Sequence, residues 1–170
     1  NSVLATDYNN SPSGVATPTT VTGQHNTVIG AGNTVSGDQG VTIGTLNKVI
    51  GAYAIGQNNT VKSKGLAFGS NNTVGQTSED GGIAIGRNLT VEGYEGVAIG
   101  GETQALADYS IAIGSGIRAS EPSTVVEKAA TQGIALGYGA KAKVSGGIAL
   151  GAGSQATTAA KVKGYDPSTD

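Results

Sequence analysis

A step of two small or apolar residues followed by glycine recurs nine times along the chain, with its glycines at Gly30, Gly44, Gly56, Gly69, Gly86, Gly100, Gly114, Gly137 and Gly151. The spacings are 14, 12, 13, 17, 14, 14, 23 and 14 residues. Immediately before each glycine stands a large apolar residue: Ile29, Ile43, Ile55, Phe68, Ile85, Ile99, Ile113, Leu136 and Leu150. One position earlier the residue is Ala in seven copies, with Val28 and Thr42 as the departures. A second column lies five residues after each glycine: Val35, Val49, Val61, Val74 and Val91, then Ala105, Ala119, Ala142 and Ala156. Repetition at a fixed period marks a stack of like units in which each contacts mainly its neighbours.

The apolar run before each glycine is too short for a helix and rich in Ile and Val, so it reads as a strand. Glycine then allows the positive φ of a tight corner. The second column is flanked by polar residues, as in Lys141-Ala142-Lys143 or Thr60-Val61-Lys62, the alternation of a strand with one wet face. Two short strands and two turns fill about 14 residues, so each repeat is one coil of an all-β solenoid. Coils of this kind stack roughly 4.8 Å apart.

In the first half, Asn33, Asn47, Asn59 and Asn72 each precede a second-column Val by two residues. Asn tolerates left-handed backbone, and stacked Asn side chains can form amide ladders, so these four read as structural. The glycosylation acceptor pattern occurs at Asn9-Asn10-Ser11, Asn58-Asn59-Thr60, Asn71-Asn72-Thr73 and Asn88-Leu89-Thr90. A chain rich in Asn and Thr is expected to produce that pattern by chance.

The first strand is apolar on both faces: Ile111 and Ile113 point one way and Ala112 the other, and Ile83-Ala84-Ile85 and Ile148-Ala149-Leu150 repeat this. Such a strand is usually covered on both sides. Its own coil provides one cover and no helix is available for the other, so self-association is expected. Short turns leave little room inside a coil, which favours Ala columns facing inward and Ile and Val columns meeting other subunits; the reverse assignment stays open.

Composition narrows the function. With 4% aromatics, no Trp, no Met and one Phe, the core must be thin and built from small residues. The net charge of −2, with scattered Lys and Arg, provides no basic stripe for nucleic acid or an anionic bilayer. Absence of Cys removes disulfides and thiolate metal sites, and fits a passenger that crosses membranes. No apolar run reaches the roughly 20 residues of a membrane span, so direct membrane contact is not expected. A start at Asn1-Ser2-Val3 is expected of a piece of something longer.

Ser110-Ile111-Ala112-Ile113-Gly114, Gly96-Val97-Ala98-Ile99-Gly100 and Gly147-Ile148-Ala149-Leu150-Gly151-Ala152-Gly153-Ser154-Gln155-Ala156 resemble the head repeat of YadA-type trimeric autotransporter adhesins. The resemblance covers roughly residues 22–160 and rests most clearly on Ile85-Gly86, Ile99-Gly100, Ile113-Gly114, Leu136-Gly137 and Leu150-Gly151. It implies a left-handed parallel β-roll, a homotrimer, and an outer-membrane-anchored passenger displayed on the bacterial cell surface. It also implies attachment to a host matrix protein of the collagen, fibronectin or laminin class, or to a host-cell receptor. Residues 161–170, with Gly164-Tyr165-Asp166-Pro167, resemble the segments found after such heads and read as the start of a connector to a neck or a further head module. Residues 1–21, rich in Ser, Thr, Asn and Pro, read as a cap or irregular lead-in.

Two coils are long, and solenoid insertions emerge as loops that carry function more often than the scaffold. Residues 76–80 lengthen one coil and residues 121–131 another. Within the second, Glu121, Ser123, Thr124, Glu127 and Lys128 are the candidate ligand contacts. Catalysis finds no footing: His25 is the only histidine and has no partner motif, no zinc ligand set exists, and no cofactor is implied. The Glu92-Gly93-Tyr94-Glu95 stretch reads as a solvated turn. A left-handed β-helix acyltransferase is the alternative of another class, but those enzymes repeat in multiples of six with a catalytic His. An ice-binding solenoid would need a regular Thr ladder, and Thr reads as irregular here.

Overall fold

The computed structural model describes residues 2–5, 18–62, 64–75, 81–116, 123–159 and 162. Two parallel sheets of ten strands each run the length of the molecule, and the chain alternates between them at every step. The first sheet comprises Ser2–Ala5, Thr27–Ala31, Val41–Thr45, Tyr53–Gln57, Leu66–Ser70, Gly82–Arg87, Gly96–Gly101, Ile111–Ser115, Ile134–Leu136 and Ile148–Leu150. The second comprises Thr20–Val21, Thr34–Ser36, Lys48–Ile50, Thr60–Val61, Thr73–Val74, Thr90–Val91, Gln104–Ala105, Val125–Val126, Lys141–Ala142 and Gln155–Ala156. Each strand pairs with its counterparts in the adjoining coils. The expected solenoid is therefore present. Ser2–Ala5 and Thr20–Val21, inside the segment set apart as a lead-in, add a rung to each sheet.

Register makes the sequence columns physical. Ala84, Ala98, Ala112 and Ala135 stand opposite one another along the first sheet, as do Ile85, Ile99, Ile113 and Leu136. The Ala column points inward, and Ala54, Ala67, Ala84, Ala98, Ala112 and Ala135 are completely buried. Facing it are Val49, Val61, Val74, Val91, Ala105, Val126 and Ala142 of the second sheet, also completely buried. The core is one side chain from each sheet, mostly Ala against Val. A coil closed by such short turns has no space for more.

Two expectations need correction here. The second-column valines lie inside the roll rather than meeting other subunits, because this position of the second strand closes the core, while Ile50 and Val125 beside it face outward. Ala119, expected in the second column, lies outside the described residues, and Val126 holds that place, paired with Ala105 and Ala142. In the long coil that position therefore lies twelve residues beyond Gly114, where the other coils take five. The stack has absorbed the extra length before the strand and kept register.

The reason glycine never varies after the apolar pair lies in the next coil. A Cβ added at Gly30, Gly44, Gly56, Gly69, Gly86 or Gly100 would stand 1.7–1.9 Å from the carbonyl oxygen of the following glycine in the column. Any side chain there forces adjacent coils apart.

Beside this column the buried asparagines form the amide ladder expected of them. Asn47 donates from both its backbone N and Nδ2 to Oδ1 of Asn33 (3.0 and 3.1 Å), and Asn59 and Asn72 repeat this on Asn47 and Asn59. The second hydrogen of each Nδ2 reaches the glycine carbonyl of the next coil: Asn33 to Gly44, Asn47 to Gly56, Asn59 to Gly69 and Asn72 to Gly86. The ladder ends where the backbone N of Leu89 donates to Oδ1 of Asn72. Farther on, the hydroxyls of Thr103 and Thr124 donate to the carbonyls of Gly114 and Gly137. Buried glycine carbonyls are thus satisfied from within the roll, as burial requires.

Candidate functional site

Four surfaces run along the stack: the outer face of each sheet and the two edges of turns between them. The outer face of the first sheet presents two apolar columns. One contains Val41, Tyr53, Leu66, Ile83, Val97, Ile111, Ile134 and Ile148; the other is the residue before each glycine. Ile29, Ile43, Phe68, Ile85, Leu136 and Leu150 are all exposed, and Ile55, Ile99 and Ile113 are half-buried. The nine residues before the glycines, in eight steps of about 4.8 Å, make the strip about 38 Å long. Isolated exposed apolar residues are ordinary, but contiguous strips of this extent mark interaction sites.

The outer face of the second sheet is wet. Thr20, Thr34, Lys48, Thr60, Thr73 and Thr90 align in register along its first half. The Thr column that reads as irregular by sequence spacing is thus regular in space, interrupted by Lys48. In the second half the face carries Gln104, Val125, Glu127, Lys141, Lys143 and Gln155.

The sequence-predicted contact residues separate on this framework. Glu121 lies outside the described residues, as do residues 76–80. Thr124 is completely buried, and its hydroxyl donates to the Gly137 carbonyl at 2.6 Å. It fills the interior place that Asn holds in earlier coils. Ser123 and Glu127 are half-buried, while Lys128 is exposed with its Nζ 3.6 Å from Oε2 of Glu92 two coils away. Residues 123–131 are thus built into the coil rather than forming one continuous loop, and Glu127 and Lys128 are the members with surface to offer. Thr124-Val125-Val126 shares the polar-x-Val pattern of Asn59-Thr60-Val61, a signal that places the strand correctly.

The turns hold residues whose stacking sequence reading did not foresee. Leu46, Asn58, Asn71, Asn88 and Glu102 occupy one column on the turn after the first strand, all with φ between 54° and 58°. On the opposite turn Glu95, Tyr109 and Gln132 are likewise left-handed. There the Tyr94 and Tyr109 rings meet edge to face at 5.4 Å, and Asp108 accepts the backbone N–H of Tyr94. His25 is exposed on the same turn near the N-terminal end. Among the described residues no group of His, Cys, Asp or Glu is placed to hold a metal ion. Among them, too, no helix is long and apolar enough to cross a membrane.

The family model of the YadA head domain repeat matches the chain in two copies, at residues 92–116 and 129–159. These two segments are similar to YadA head repeats, which supports a YadA-like head in this part of the chain. Both copies fall in the half where Ala105, Ala142 and Ala156 form the second column and the Asn ladder has ended. The coils from Thr27 to Val91 continue the same two ladders in register. No curated protein and no solved structure matches the chain. The similarity suggests an adhesin-type role, and YadA-like heads are in general trimeric adhesins.

Proposed function

We propose that this chain is the head of a homotrimeric, non-catalytic adhesin displayed on the bacterial cell surface as an outer-membrane-anchored passenger. It attaches the cell to a host matrix protein of the collagen, fibronectin or laminin class, or to a host-cell receptor. In this reading residues 22–160 form the head, residues 1–21 cap it, and residues 161–170 begin the connector to a neck or a further head module.

The observation that carries the proposal is the double apolar column on the outer face of the first sheet. Three copies packed around a common axis through these faces bury Ile and Val that a single copy exposes, at about 25 cal/mol per Å² of apolar area removed from water. The wet face of the second sheet is then left outward on every subunit. Ligand contact belongs there, and Glu127 is its first candidate, with Lys128 in the turn beside it.

A solid-phase screen of the purified head against collagen, fibronectin, laminin and host-cell surfaces tests the function. Saturable binding to one of them, weakened by substitutions on the second-sheet face such as Lys141→Glu with Lys143→Glu, is the expected result. Binding to none, or binding indifferent to that face but lost on altering the turns, contradicts the assignment.

A further inference from the structure

We propose that Asn58, Asn71 and Asn88 are acceptors for an N-linked saccharide. All three acceptor patterns among the described residues fall on consecutive coils at the same turn, two residues after the column glycines Gly56, Gly69 and Gly86. Backbone N–H groups of Asn58, Asn71 and Asn88 donate to Thr45, Gln57 and Ser70 in turn, so the three asparagines stack one above another. Asn58 and Asn71 are exposed and Asn88 is half-exposed. The middle residues Asn59, Asn72 and Leu89 point into the core, which turns each acceptor outward. Thr60, Thr73 and Thr90 stand in register on the outer face of the second sheet, so a hydroxyl accompanies each acceptor on the same edge.

The fold does not itself require Asn in this column. Leu46 and Glu102 hold the same place with φ of 58° and 55°, and Gly116, Gly139 and Gly153 hold it in later coils. Among the described residues every acceptor is on one solvent-facing edge. A surface turn is where an acceptor pattern is usable.

The chemistry suits the amide. Nδ2 of Asn58 donates to Oδ1 of Asn71 at 2.8 Å, and Nδ2 of Asn88 donates to Glu102. A primary amide has two hydrogens, so each can keep its existing bond while the other hydrogen is replaced. The new bond joins Nδ2 to the anomeric carbon of a diphosphate-activated sugar. The bond between that carbon and the phosphate oxygen breaks, the diphosphate leaves, and the amide proton is released. The column lies on the turn, outside the apolar columns of the first sheet, so the inference is independent of self-association.

The test is peptide mass spectrometry of the protein taken from the cells that naturally make it. Expected are mass increments of saccharide class on peptides carrying Asn58, Asn71 or Asn88, with neighbours about 4.8 Å apart limiting simultaneous occupancy. An increment of a single hexose identifies a nucleotide-activated donor, and a preassembled oligosaccharide a lipid-linked one. A Thr60→Val, Thr73→Val, Thr90→Val variant made in the same cells keeps the acceptors and the strands, and is expected to lose the modification while its circular dichroism is unchanged. Unmodified peptides at all three positions in the natural protein, or increments that persist in the Thr variant, overturn the proposal.

Discussion

Replacing Gly100 with Ala puts a methyl group into the tightest contact of the column. The new Cβ stands 1.7 Å from the Gly114 carbonyl oxygen, and Gly100 has φ of 122°, a conformation L side chains rarely adopt. The dihedral alone costs about 1–3 kcal/mol. Relief to even 3.0 Å requires the two coils to separate by more than 1 Å at this point, which disrupts two or three ladder hydrogen bonds at about 0.5–1.5 kcal/mol each. The sum is a loss of about 2–7 kcal/mol, a large part of the 5–15 kcal/mol typical of a folded domain. Gly153→Ala is the control, because Gly153 also has positive φ, 68°, but a Cβ there meets nothing within 4 Å. It should cost about 1 kcal/mol, the left-handed penalty alone. Urea unfolding followed by circular dichroism at matched protein concentration measures both. If Gly100→Ala comes within about 1 kcal/mol of Gly153→Ala, the carbonyl contact is not what holds glycine in the column.

Other substitutions test the interior and the surface. Thr42 places its hydroxyl in the inward column with no hydrogen-bond partner, so Thr42→Val should stabilise by about 1–2 kcal/mol in the same unfolding assay. Asn59→Ala, in the middle of the amide ladder, strips partners from Asn47, Asn72 and the Gly69 carbonyl and should cost about 3–5 kcal/mol, well beyond a single surface amide. Lys128→Ala removes an ion pair between an exposed side chain and Glu92 and should change the unfolding midpoint by the equivalent of under about 1 kcal/mol. That near-neutrality makes it a clean probe of ligand binding.

The sequence made the coil legible because two of its columns answer to contacts between neighbouring coils. Each of Gly30 through Gly100 is held by the next glycine's carbonyl, and each of Asn33 through Asn72 by the next coil's backbone, so neither column can drift without loss. The second strand was less legible in the long coil. Ala119 matches the local spacing, but the core position is fixed by register with Ala105 and Ala142, which an insertion displaces along the sequence and not in space. The inward direction of the valines comes from coil closure rather than from hydrophobicity, since Ile on the first strand is just as apolar and points out. Left-handed backbone at Leu46, Glu102 and Tyr109 runs against local preference and is set by stacking, so no residue type announced it. Of the candidate contacts, Thr124 was drawn by its place in an insertion, yet a buried hydroxyl capping Gly137 has no surface to present.

The association of three copies through the Ile columns is tested most directly by molar mass in solution. Light scattering on the eluting head should return three times the 16.6 kDa of one chain. A double substitution, Ile99→Asp with Ile113→Asp, should shift it toward one copy, since it places charges on the face to be buried. A stable monomer for the unaltered chain, with its apolar strip left open to water, would contradict the account.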